Sequence, residues 1–230
     1  MKRNTIIALI FTLTFLLSLC LSQTVHKTEK ISGTVINDKV NLVIDAGHGG
    51  EDCGTIGTDG ALEKDINLAI ALNLYDFARV CGYSANLTRG GDYLVYSEDD
   101  DRSRSDLYNR FDYINSFDNP VLISIHQNHF DDEREWGMQV WYSPNDDVSK
   151  ILADEILNYT KHNIQPENKR ENKKSDSSYY IIHKAQVPSV MVECGFMSNK
   201  AENEKLKNEI YQKDIAFSVF AGFNEYIDKV

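Results

Sequence analysis

Four residues of this chain carry the side chains that a hydrolytic centre needs: His48, Glu63, His126 and Glu193. Three of them follow short apolar runs. His48 comes after Val43-Ile44-Asp45-Ala46-Gly47, His126 closes Val121-Leu122-Ile123-Ser124-Ile125, and Glu193 closes Val190-Met191-Val192. Two imidazoles and one carboxylate are the donor set of an open catalytic zinc centre, whose water has a pKa of roughly 7. A further carboxylate then serves as the base. The set reads as a metal-dependent hydrolase.

Taken singly, the four speak with different force. His48 lies in Asp45-Ala46-Gly47-His48-Gly49-Gly50, where glycine permits sharp turns and close approach. His126 opens the polar turn Gln127-Asn128-His129, in which His129 is a rival ligand, a substrate contact or a solvated side chain. Glu63 opens a helix, the ordinary place for an acid that interacts with the helix dipole. A carboxylate such as Glu193 at the end of a buried strand is costly unless paired, solvated or in a site. Desolvation there moves its pKa towards the range of a general base. Cys194 admits a thiol nucleophile with His126 as base, but a metal centre already explains the histidines.

The elements that position these residues alternate. Strands are expected at Val40–Asp45, Ser84–Thr88, Val121–Ile125, Met138–Tyr142, Tyr179–Ile182 and Ser189–Val192. Helices are expected at Leu62–Val80, Arg104–Asn115, Val148–His162, 200–207 and 211–228; in the first, Ile66, Ile70, Leu74 and Phe77 recur at helical steps. Residues 165–178 read as a polar loop, and its Lys169, Arg170, Lys173 and Lys174 form the densest cationic cluster of the chain. That cluster is either a solvated surface or a contact for substrate carboxylates. The alternation predicts a single three-layer α/β domain, a mostly parallel sheet with helices on both faces. Ligand sites in such sheets lie beyond the carboxyl ends of the strands, which is where His48, His126 and Glu193 fall.

The first 22 residues read as a signal peptide or N-terminal anchor. Lys2 and Arg3 precede the uncharged apolar stretch Ile6–Leu21, a basic region followed by a hydrophobic one and short of the about 20 residues of a membrane span. Residues 23–39 read as a flexible tether and 40–230 as the catalytic domain, so the protein is expected to be exported and to work outside the cytoplasmic membrane. The net charge of −11 excludes nucleic acid as a partner. Cys53, Cys81 and Cys194 are too few and too uneven for a disulfide framework; Cys81 reads as a core residue.

These segments resemble the zinc-dependent N-acetylmuramoyl-L-alanine amidases of the type 3 family, which cleave bacterial peptidoglycan. The resemblance rests on Val-Ile-Asp-Ala-Gly-His-Gly-Gly (43–50), Glu-Lys-Asp-Ile-Asn-Leu (63–68), Leu-Thr-Arg (87–89), Ile-Ser-Ile-His-Gln-Asn (123–128) and Pro-Ser-Val-Met-Val-Glu-Cys-Gly-Phe-Met-Ser-Asn (188–199). It implies that His48, Glu63 and His126 hold zinc and that Glu193 is the catalytic acid/base. It implies a substrate of glycan strand and stem peptide, cut between N-acetylmuramic acid and L-alanine. The short exported form is similar to the germination-specific amidases of spore formers, which act on spore cortex and prepare muramic-δ-lactam; that implies the cell wall or the forespore intermembrane space as the place of action. The rival readings are a zinc peptidase cutting within the stem peptide and a non-catalytic peptidoglycan-binding module. The family usually has proline where this chain has Ala46 and Cys53. The loop of His48 is therefore expected to be less preorganised, and an exported accessory protein or self-association to stabilise the zinc-bound state.

Overall fold

The computed structural model describes residues 37–96 and 102–230. The leader or anchor expected at 1–22 lies outside the described residues, as does the tether up to residue 36. The first strand, β1 (Asn37–Ala46), takes the last three residues assigned to that tether.

Among the described residues, six strands form one sheet: β1, β2 (Tyr83–Leu87), β3 (Pro120–Asn128), β4 (Gln139–Tyr142), β5 (Lys173–Lys174) and β6 (Ser189–Phe196), in the order β2-β1-β3-β6-β4-β5. The pairs β1/β2, β1/β3, β3/β6 and β4/β5 are parallel, and only β4/β6 is antiparallel. Strands buried on both faces need continuous apolar runs, and β3 has them: Val121, Leu122, Ile123 and Ile125 are all buried.

The helices among the described residues are α1 (Glu63–Val80), α2 (Arg102–Asn115), α3 (Ser149–Asn163), α4 (Tyr180–Lys184), α5 (Lys200–Leu206) and α6 (Glu209–Ile227). None is long and apolar enough to cross a membrane. On one face of the sheet, Ile66, Ile70 and Leu74 of α1 share a core with Leu42 and Ile44 of β1, Leu152 and Ile156 of α3, and Ile215, Val219 and Phe223 of α6. A fully buried leucine or isoleucine contributes roughly 1.5–3 kcal/mol, so this face carries much of the stability. The other face is smaller. Val43 and Leu122 meet Ile114 of α2 and Ile181 and Ile182 of α4.

Three expectations are corrected. The segment Tyr179–Ile182 is not a strand: its core is helix α4. A short run of aromatic and β-branched residues carries no period that separates strand from helix, and here one helical turn lays Ile181 and Ile182 on the sheet. The loop at 165–178 contributes the edge strand β5. Cys81 is exposed at the C-terminal cap of α1 and is not a core residue.

Register decides what meets at the carboxyl edge. Ala46 of β1 lies beside Ile125 of β3, and His126 lies beside Glu193 of β6. Because β4 runs against β6, its first residue, Gln139, stands opposite Glu193.

Candidate metal centre

His48, Glu63 and His126 come together, with one donor atom from each lying within 4.8 Å of the others. Oε1 of Glu63 is 3.3 Å from Nε2 of His48 and 3.1 Å from Nδ1 of His126. The two imidazoles meet edge to face, their centroids 5.0 Å apart. Glu63 thus does more than face the helix dipole. Its carboxylate also accepts from the backbone N–H of Thr55 and of Gln127 and from the Asn67 amide. Burial opposes its charge, but His126 and His48 outweigh burial and hold the carboxyl far below its ordinary range.

Close approach depends on two glycines. A Cβ on Gly47 would stand 2.2 Å from Nε2 of His126, and one on Gly54 would stand 2.6 Å from both Glu63 Oε2 and Cδ2 of His48. Gly54 also has a φ of +63°, which side-chain-bearing residues seldom adopt.

His48 itself has a φ of +61°, an uncommon conformation that surrounding contacts must impose. Those contacts come from charged residues to which the sequence reading gave no role. Arg110 of α2 donates to the carbonyls of Ala46 and His48, both at 2.7 Å. Arg89 donates to the carbonyls of Ala46 at 2.8 Å and Gly47 at 2.9 Å. Lys64 reaches the Gly50 carbonyl, and Asp92 accepts from the Gly50 N–H, each at 2.7 Å. Asp52 takes Nδ1 of the His48 ring at 2.7 Å. At Ala46, where the family usually has proline, two buried guanidiniums hold the backbone carbonyl.

Asp45 neutralises this cationic clamp. Its carboxylate accepts from Arg110 at 2.8 Å, Thr88 at 2.7 Å and Ser124 at 2.6 Å. Burial works against its ionisation, yet Arg110 and Ser124 prevail and hold its pKa at about 2. For His48, burial disfavours the charged ring, but Asp52 and Glu63 overcome it and raise the pKa to about 10.

Glu193 is differently placed. It sits on β6 next to His126, and its Oε2 is buried with no hydrogen-bond partner. Burial is the main cause that pushes its pKa up to about 7. A carboxyl poised near neutrality beside a set of metal donors can hold or give up a proton under working conditions. His129 is not in the donor cluster; it lines a neighbouring groove. Cys194 is fully buried, and burial pushes its thiol well above the ordinary range, which removes it as a nucleophile.

The family profile described as N-acetylmuramoyl-L-alanine amidase matches residues 42–225. The chain belongs to this amidase family. It is 30% identical over 193 residues to the germination-specific N-acetylmuramoyl-L-alanine amidase of Bacillus subtilis, covering 80% of this chain and 78% of the relative. Among solved structures, the CwlD amidase of Clostridioides difficile, determined in complex with the GerS lipoprotein, is 36% identical with a TM-score of 0.78, covering 83% of this chain and 99% of that one. The amidase AmiC2 of Nostoc punctiforme is 30% identical with a TM-score of 0.72, covering 83% and 98%. The amidase is a peptidoglycan hydrolase with a single α/β domain and a group of residues able to hold a metal ion.

Proposed function

We propose that the amidase is zinc-dependent, that His48, Glu63 and His126 hold the ion, and that Glu193 is its acid/base. The donor set supports this reading. Two imidazoles and one carboxylate, with a nearby carboxyl outside the set, match an open catalytic zinc centre. The glycines at 47 and 54 leave the space that the donors fill. A zinc ion there supplies Lewis acidity, which lowers the pKa of water and draws charge from an amide carbonyl.

The chain's own residues do the rest. Asp52 orients the ring of His48 through Nδ1, as partners of metal-binding histidines do. Arg89 and Arg110 fix the backbone of that loop. Glu193 takes a proton from the attacking water and returns it to the departing nitrogen of L-alanine. The single observation that carries this role is its buried, unpartnered Oε2, an oxygen for which the folded chain provides no donor. The products are a free lactyl group on N-acetylmuramic acid and a stem peptide with an L-alanine amino terminus.

The reading extends to place and partner. Relatedness to a germination-specific amidase supports a role in spore cortex, preparing muramic-δ-lactam, outside the cytoplasmic membrane. The structure of CwlD with the GerS lipoprotein supports an exported accessory protein. Digestion of purified cortex fragments with added zinc tests the proposal. New L-alanine amino termini and bare muramic acid are expected, dependent on zinc. New termini within the stem peptide would favour a peptidase instead.

A further inference from the structure

A groove of about 450 Å³ opens along β4. Its wall includes Gln139, which stands opposite Glu193 in the sheet, and beyond it Trp141, Tyr179 and Lys173. The rings of Trp141 and Tyr179 lie 4.6 Å apart with a tilt of 31°, and Lys173 Nζ sits 5.2 Å from the centroid of Trp141. The indole Nε1 has no hydrogen-bond partner.

Two cations line this groove, and they are not equivalent. Arg170 is occupied: it pairs with Glu135, donates to the Trp136 carbonyl and lies over the Phe196 ring. It is part of the wall. Lys173 has no carboxylate partner among the described residues, and its ammonium lies over the face of Trp141. In a chain with a net charge of −11, an unneutralised ammonium in this groove is a place for an anion.

We infer that Lys173, above the Trp141–Tyr179 pair, binds the α-carboxylate of an acidic second stem residue that is joined to the third residue through its side-chain carboxyl, the linkage that leaves this α-carboxylate free. This rests on the amidase reading above and names what the site selects. Spacing supports the choice. Lys173 is paired with Trp141, two residues along β4 from Gln139, which is about 7 Å of strand. Two residues of extended peptide also span about 7 Å, so a stem leaving the cleavage point along β4 brings its second residue level with Lys173. The aromatic pair offers apolar faces to the rest of the peptide.

The test uses two muramoyl tripeptides that differ only in whether the second residue's α-carboxyl is free or amidated. The zinc-loaded parent should show a KM roughly fivefold lower for the free acid, the worth of one partly exposed ion pair. In Lys173→Gln the ratio of the two KM values should collapse towards one, and in Lys173→Arg it should persist. A Lys173→Gln enzyme that keeps the parent's ratio overturns the inference, as does a parent with no preference. Should the parent cleave neither compound, the amidase reading fails on its own. Calorimetric binding of the same two tripeptides to parent and Lys173→Gln then still decides what Lys173 recognises.

Discussion

The guanidinium of Arg110 donates to the carbonyl of His48 at 2.7 Å while its other nitrogens bind Asp45 and Asp106, each at 2.8 Å. The backbone of one proposed metal donor is thereby tied to a charge network that joins β1 to α2. Arg110→Met would strand Asp45 as a buried, uncompensated charge, and breaking such a pair costs about 3–5 kcal/mol. Arg110→Lys keeps the charge but not the fork that reaches several acceptors. It should fold with a lowered Tm and bind zinc at least about tenfold more weakly, which is 1.4 kcal/mol. Zinc titration by calorimetry checks this, and unchanged affinity would show that the clamp does not set the metal donors.

His48→Ala and His126→Ala should lose bound zinc and activity while staying folded, because neither side chain belongs to the apolar core. Glu193→Gln should retain zinc and lose turnover, since a base is removed and not a ligand. Elemental analysis of the three purified variants decides the assignment. Loss of zinc from the Glu193 variant would move that residue into the ligand set.

The two glycines give a steric prediction. Gly54→Ala places a methyl group 2.6 Å from Glu63 and His48 at a positive φ, and Gly47→Ala presses on the His126 ring. Both variants should lose activity by about a hundredfold or more, the scale expected for misplacement of about 1 Å. Gly60→Ala, also at a positive φ but with open space around its Cβ, should lose only a little stability. Equal activities for the three would remove the packing argument.

Metal-free protein should become less stable as pH rises. His48 is raised from 6.5 to about 10, so its contribution is complete below 6.5 and lost as pH passes through about 10. Glu193 is raised from 4.5 to about 7, so its neutral form favours the fold below 4.5, and that advantage is lost by about 7. Thermal melts in chelator should show both declines, and Glu193→Gln should lack the one between 4.5 and 7. Superimposable curves for parent and variant in that window would contradict the raised pKa. Zinc added near neutral pH should also release protons, because the ion displaces one from His48.

Much of the sheet and the candidate donors was legible because burial on both faces writes continuous apolar runs, and polar residues that end such runs stand out. His126 and Glu193 were visible in that way. Helix α4 was not, because Tyr179-Tyr180-Ile181-Ile182 suits a strand locally and only packing against Val43 and Leu122 makes it a helical turn. The clamp was hidden for another reason. Arg110 and Asp92 act on a loop far from them in sequence, and nothing local distinguishes them from solvated charges; Arg89 stood in the Leu-Thr-Arg segment but without a role. The one hint was Asp45, a carboxylate inside an apolar strand that had to find a partner.

The strand order also fixes when the site can be completed. Strand β3 lies between β1, which precedes it in the chain, and β6, the last strand to be synthesised. His48, Glu63 and His126 all emerge before β6, whereas Glu193 arrives only with it. On the roles proposed above, a chain that stops before Ser189 carries the three metal donors and lacks the base, so cleavage waits for β6.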